Sequence, residues 1–309
     1  QLHRRVGEAI ERLYGSGAGA HVAELARHFA EVAAVGDADK ALIYARLAGE
    51  RALAMHAYEE AAAEYQRALS ALKFAGPDEL ERCELLLQLG SAQARAGNYQ
   101  QAQESCLQAA EISRRLGAPE QLARAALGLG ERQVEGGQVN QQLVALLQEA
   151  LVGLSPQDSP LRARLLARLS LEFVFSDETE LTESFSREAV TMARRLADPL
   201  ALRTALDTRW MAVWGPDGLE ERIALADEIL RRARDTSDRE MELDGHAQRA
   251  ASSLESGDGK GVQADIAALT GASRATVNRV LGEEEQHGAL ERRRGRIVLL
   301  DPSGVSSRT

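Results

Sequence analysis

The stretch Leu85-Leu86-Leu87-Gln88-Leu89-Gly90-Ser91-Ala92-Gln93-Ala94-Arg95-Ala96-Gly97-Asn98-Tyr99-Gln100-Gln101-Ala102-Gln103-Glu104-Ser105-Cys106-Leu107-Gln108-Ala109-Ala110 decides the fold. Apolar residues recur at three and four in Leu85, Leu86, Leu89, Ala92 and Ala96, and again in Ala102, Cys106, Ala109 and Ala110. That spacing puts one apolar stripe on each of two helices. Gly97-Asn98 between them is a turn signal. Working outward, Ala, Leu, Glu, Gln and Arg dominate from about Leu2 to Glu255, and all are good helix formers. Gly76-Pro77-Asp78, Gly117-Ala118-Pro119, Gly136-Gly137, Ser155-Pro156 and Gly215-Pro216 punctuate further segments.

The unit repeats. A small residue falls on the first helix of each pair at Gly49, Gly90, Gly130 and Ser170, at intervals of 41, 40 and 40 residues, with weaker copies near Asp207 and His246. Ala48-Gly49 is followed by Tyr58, Ala61, Tyr65 and Ala68; Leu89-Gly90 is followed by Tyr99, Ala102, Cys106 and Ala109. The small residue lets two helices cross closely, and the Tyr or Cys fills the groove beside it. One pair cannot bury its own apolar face, so stacked neighbours complete the core. Over Ala41 to Leu72 and Leu85 to Ile112 the chain resembles the tetratricopeptide repeat family, fading after Gly130. The period of about 40 exceeds that family's usual 34. It is similar to the long repeats of bacterial regulators that carry an ATPase upstream. Leu2 to Val6 and His21 to Ala26 resemble the linker after such an ATPase. The chain opens without Met, as a fragment or a processed chain would, and has no Gly-x-x-x-x-Gly-Lys-Ser/Thr loop of its own. The resemblance implies a surface for a protein or peptide; a passive spacer is the alternative.

After Gly257-Asp258-Gly259-Lys260-Gly261, a linker or turn, the pattern changes. Val262 to Leu269 predicts a short helix with Ile266 and Leu269 inward, and Gly271 suits a tight turn. Ser273 is a good N-cap for a second helix running to about Glu285. Val277, Val280 and Leu281 form its buried stripe; Arg274, Ala275, Asn278 and Arg279 fall on the other side. Two short helices joined by such a turn make a helix-turn-helix. Beyond Gly288, Ala289 to Glu291 and Arg296 to Leu300 predict the two strands of a hairpin wing with Arg292, Arg293 and Arg294 at its tip. Cations there would lie beside DNA phosphates.

From about Val262 to Val305 the tail resembles the winged helix of the cyclic-AMP receptor protein and fumarate-nitrate regulator family. The string from Leu269 to Leu281, then Arg294-Gly295-Arg296-Ile297-Val298 and Asp301-Pro302, carries the likeness. It implies that Arg274 and Arg279 face base edges, while Gln263, Ser273 and Thr276 contact phosphates; Arg bidentate to guanine is the commonest specific contact. Asn278 joins this face. Many members carry Glu where this chain has Ala275, so specificity at one base pair relaxes, or Ala275 meets a thymine methyl instead. The family's cyclic-nucleotide β-roll and long dimerisation helix are missing. Asp244 to Leu254 serves as the first helix of the winged domain or completes the last repeat. Glu283-Glu284-Glu285 puts negative charge at the recognition helix's C-terminal end, unfavourable for its dipole.

The 309 residues, 44% hydrophobic, suit about two domains at roughly 150 residues each. No apolar run approaches the roughly 18 to 20 residues of a membrane span, and the start does not read as a signal peptide. The net charge is −10; the seven arginines and six carboxylates after Val262 contribute +1, leaving −11 on the rest. An acidic body cannot coat nucleic acid along its length. The tail can bind it locally. Cys83 and Cys106 fit a reduced, cytoplasmic protein, with Cys106 at a packing position. The six histidines show no metal spacing, Gly15 to Gly19 reads as a flexible loop rather than a phosphate loop, and no catalytic constellation appears. Trp210, Met211 and Trp214 read as core, or as a peptide-anchoring patch.

The expectation is a mainly α protein. An α-solenoid of tetratricopeptide-like helix pairs spans residues 1–255, and a small winged helix-turn-helix with a β-hairpin wing spans 256–309. It is not an enzyme and needs no metal or cofactor. The expected partners are double-stranded DNA at Gln263, Ser273, Arg274, Thr276, Asn278, Arg279, Arg292, Arg293 and Arg294, and a protein or peptide on the repeats. A homodimer would supply the paired half-sites that one small reader needs for tight binding. The alternative is an interaction scaffold whose winged helix does not bind DNA.

Overall fold

The computed structural model describes residues 1–130, 139–271, 279, 281–282, 285–288, 290–293 and 296–300; the side chains of 16–18, 216, 292–293 and 296–299 lie outside that description. The chain forms two compact units, Gln1–Gln157 and Asp158–Thr309.

The first unit holds helices α1 (Leu2–Tyr14), α2 (Val22–Ala30), α3 (Ala38–Ala54), α4 (Tyr58–Ala75), α5 (Glu79–Arg95), α6 (Tyr99–Leu116), α7 (Pro119–Leu129) and α8 (Gln141–Gly153). A 3-10 turn, Gly15–His21, joins α1 to α2. Partners alternate as the repeat predicts: α3 packs on α4, α4 on α5, α5 on α6, and α6 on α7. The second unit holds α9 (Pro160–Phe173), α10 (Thr179–Leu196), α11 (Pro199–Ala212), α12 (Leu219–Thr236), α13 (Arg239–Ser256) and α14 (Gly259–Thr270), then strands β1 (Leu290–Arg293) and β2 (Arg296–Leu299). The chain is mainly α, built of tetratricopeptide-like helix pairs.

Asp78 and Pro119, from the predicted turns, start helices, and residues not singled out in the sequence do the same elsewhere. Asp78, Ser159, Asp198 and Asp238 each accept a backbone N–H three residues on. Such caps contribute about 1 kcal/mol apiece. Pro119, Pro160 and Pro199 sit at the first helical position, where no N–H is needed. Gly136-Gly137 lies outside the described residues.

Gly49 and Gly90 do what their spacing implied. A Cβ on Gly49 would fall 2.8 Å from the Tyr65 ring, and one on Gly90 would fall 2.8 Å from Cys106 Sγ. Tyr65 and Cys106 are both buried. In the third pair the register slips: Gly130 caps α7, and the close approach to Cys106 Sγ, 2.7 Å, belongs to Gly128. Ser170 is fully buried and donates to the Thr182 carbonyl at 2.8 Å. Near Asp207 the crossing is polar instead, with Arg209 donating to Glu221 at 2.7 Å and also to Glu183. Near His246 the close contact is at Gly245, whose Cβ would meet Leu230 at 2.8 Å.

The glycine-rich string after Ser256 is a turn. Gly257 takes the left-handed conformation, φ 80°, and closes α13. Asp258 then caps α14, accepting from Lys260 N at 3.2 Å and Gly261 N at 3.1 Å. The expected division at residues 255/256 thus falls inside a compact unit, at the turn between two packed helices.

Candidate nucleic-acid interface

Helix α14 is the first helix of the expected helix-turn-helix. It is longer than Val262 to Leu269, and its inner face differs from the expectation. Val262 and Asp265 are buried, while Ile266 and Leu269 are half-buried. A charged residue therefore occupies the centre of the packed face, which is costly unless its oxygens are satisfied. They are. Arg249 on α13 donates Nη2–H to Asp265 Oδ1 at 2.6 Å and Nε–H to Oδ2 at 3.1 Å. His246, also on α13, lies 2.7 Å from the same Oδ1 through Nδ1. Arg249 Nη1 reaches back to Asp227 on α12 at 3.1 Å. The hydrogen bonds to Asp265 hold the Arg249 guanidinium above its ordinary pKa.

The two roles weighed for Asp244 to Leu254 therefore coexist. Helix α13 packs on α12 as a repeat helix and on α14 as the first helix of the small domain. Arg249 is the side chain that ties the three together.

Beyond α14, Gly271 takes φ 65°, the left-handed value its turn requires. Residue 279 is helical, as are 281–282 and 285–286. The segment stops at Gly288, whose N–H reaches the Glu285 carbonyl at 3.0 Å. Strands β1 and β2 pair antiparallel, with Leu290 opposite Leu299 and Arg293 opposite Arg296. Leu290 is buried and anchors the hairpin.

Among the nominated residues, Gln263 is half-buried on α14 and Arg279 is exposed on its helical turn. Arg292 and Arg293 lie on β1, so they belong to a strand of the wing rather than to its tip. Ser273, Arg274, Thr276, Asn278 and Arg294 lie outside the described residues, as do Glu283 and Glu284. The junction residues Asp227, His246, Arg249 and Asp265 were not nominated. One signal for Asp265 was present: it shares the helical stripe of Val262, Ile266 and Leu269.

Residues 248–307 match the family model of the Crp-like helix-turn-helix domain. The match begins within α13, in agreement with that helix serving the small domain. No curated protein sequence matches the chain. Among solved structures, a Rap protein complexed with Competence and Sporulation Factor is similar at a TM-score of 0.59 and 13% identity, over 86% of this chain and 75% of that one. A Signal Transduction ATPase with Numerous Domains, with a tetratricopeptide repeat sensor, from Pyrococcus horikoshii, is similar at a TM-score of 0.57 and 13% identity. That alignment covers 93% of this chain and 44% of the other. At such identities the likeness shows the fold. No described helix is long and apolar enough to cross a membrane.

Proposed function

We propose that the chain is a sequence-specific regulator of transcription that binds double-stranded DNA through its C-terminal residues 256–309. Residues 273–285 would lie in the major groove, with Arg274, Asn278 and Arg279 toward base edges. Gln263, Ser273, Thr276 and the arginines 292 to 294 would contact phosphates. The observation that carries this reading is the match of residues 248–307 to a Crp-like helix-turn-helix domain on a helix, turn and hairpin in the required order. The exposed Arg279 supports it. The repeats would receive a protein or peptide; their fold is shared with a Rap protein solved in complex with Competence and Sporulation Factor. The reading assigns no enzymatic activity, places the protein in the cytoplasm, and uses a homodimer on paired half-sites.

The test is fluorescence anisotropy of the full chain with labelled duplexes across salt. Each phosphate neutralised contributes a slope of about −0.9 to log K against log salt. A slope of about −3 or steeper, with preference among sequences, supports the reading. A slope near zero overturns it and leaves the second reading, an interaction scaffold. The net −11 on the residues before Gln263 favours that alternative.

A further inference from the structure

One cavity of the second unit has aromatic walls. It measures 480 Å³ and is lined by Val174, Phe175 and Thr179, where α9 gives way to α10, and by Met211, Ala212 and Trp214 at the end of α11. That volume lies within the usual span for ligand sites. The two tryptophans expected to share one role are divided. Trp210 is 6% exposed and donates Nε1–H to Ser252 Oγ at 3.3 Å, a core arrangement. Trp214 is 59% exposed and Phe175 is 53% exposed.

Trp214 is exposed but not loose. Its ring meets Trp210 edge to face, with centroids 4.9 Å apart. On its buried side the fully buried guanidinium of Arg222 lies 4.9 Å from the ring centre. Arg222 is itself held by Glu255 at 2.5 Å and the Gly215 carbonyl at 3.2 Å. A ring fixed in this way has already met the ordering cost of binding. Rigid, half-exposed Trp is the residue type most enriched at binding hot spots.

Charge selects the occupant. The segments 174–182 and 211–221 carry Asp177, Glu178, Glu180, Asp217, Glu220 and Glu221, and no Lys, Arg or His. Glu221 is paired with Arg209. Among the described residues the other five form no ion pair. The cation against the Trp214 ring, Arg222, is paired with Glu255. Glu180 lines a separate depression with Arg187 and Arg195. Aromatic faces on chain segments that carry unpaired carboxylates suit a cation with an apolar stem.

We propose that this cavity binds a basic peptide segment, with an arginine or lysine side chain laid against Trp214 and Phe175 and the carboxylates beside it. The assignment rests on the reading of the repeats as a peptide-receiving module and names the class of peptide.

The chain has two tryptophans, and the exposed one lines the cavity, so its emission reports occupancy directly. The full chain is titrated with three acetylated, amidated hexapeptides, Gly-Leu-Xaa-Leu-Xaa-Gly, where Xaa is Arg, Gln or Glu. The Arg peptide is expected to change the emission saturably, to bind at least about ten-fold tighter than the Gln peptide, and to weaken as salt rises. Phe175→Ala, which leaves both tryptophans in place, should cost about ten-fold by calorimetry. Glu178→Gln combined with Asp217→Asn should weaken the Arg peptide and leave the Gln peptide unchanged. Equal binding of the three peptides, or full affinity in Phe175→Ala, overturns the cation site while leaving a peptide-receiving role standing. Silence toward all three overturns both. DNA anisotropy of the same variants is a separate readout and should not move.

Discussion

Replacing Asp265 by Asn tests whether the small domain is locked to the last repeat. Asp265 is fully buried and accepts from Arg249 through both oxygens. Asn keeps the volume and one acceptor but loses the charge, so Arg249 is left with Asp227 alone. Breaking a buried pair by removing one partner costs about 3 to 5 kcal/mol. Arg249 retains 28% exposure and its second carboxylate, so the expected loss is smaller, about 2 kcal/mol. A chain of two compact units need not unfold in one step, so the measurement has to be local. Hydrogen exchange of the α14 amides reports the opening of that helix. Asp265→Asn should speed their exchange about thirty-fold, while amides of α5 and α6 in the other unit stay unchanged. Arg249→Met should cost a similar amount, and the double variant should show a coupling of about 1 to 2 kcal/mol. Losses below about 0.5 kcal/mol, or strictly additive effects, would refute the lock.

For DNA, Arg279→Ala should cost about 1 to 3 kcal/mol on the preferred duplex and flatten preference among sequences, whereas Arg293→Ala should weaken all duplexes alike and reduce the salt slope by about one. Equal, small effects in anisotropy would argue against a reading helix. In the repeats, Tyr65→Phe should stabilise by about 1 kcal/mol, because the Tyr65 hydroxyl is buried without a hydrogen-bond partner in the described structure. Gly49→Val should destabilise by about 1 to 3 kcal/mol, since its Cβ would meet that ring at 2.8 Å; urea midpoints showing the reverse order would contradict the packing account. Hydrogen bonding from Arg209 holds Glu183 below its ordinary 4.5. A depressed folded pKa contributes stability above the ordinary value, and that contribution is lost as pH falls through the folded value. The stability deficit of Arg209→Met should therefore be largest above pH 4.5 and shrink as pH falls, and a deficit independent of pH would remove the claim.

The repeat was legible because each signal served one purpose. Gly49 and Gly90 are small where helices cross, and the residue sixteen positions later fills the gap. It became illegible where the crossing changed chemistry. At Arg209 a guanidinium and two carboxylates take over from a glycine and a ring, and no small residue marks the place. Gly130 fits the even interval of 40 residues from Gly90, yet Gly128, two residues earlier, is the one that packing sets against Cys106. The Gly257 to Gly261 string reads as a linker or a turn from composition. Its resolution needed Ser253, because a Cβ on Gly261 would fall 2.8 Å from that hydroxyl and 2.5 Å from the Asp258 carboxylate. Asp265 lay on the inward stripe in plain view, but its partners sit sixteen and nineteen residues upstream, beyond the reach of local spacing.

That turn decides how a signal on the repeats would reach the tail. A flexible tether transmits only proximity, since its ends move independently. Here two residues separate α13 from α14, one in a left-handed turn and the other bonded into the next helix. Arg249 then joins α12, α13 and α14 through two carboxylates. An occupant that shifts α12 against α13 must either carry α14 with it or break an ion pair on a fully buried Asp265. Breaking that pair is the dearer course, because the carboxylate would remain desolvated. A coupling of this kind would act through packed geometry and would need no contact between the occupant and the small domain.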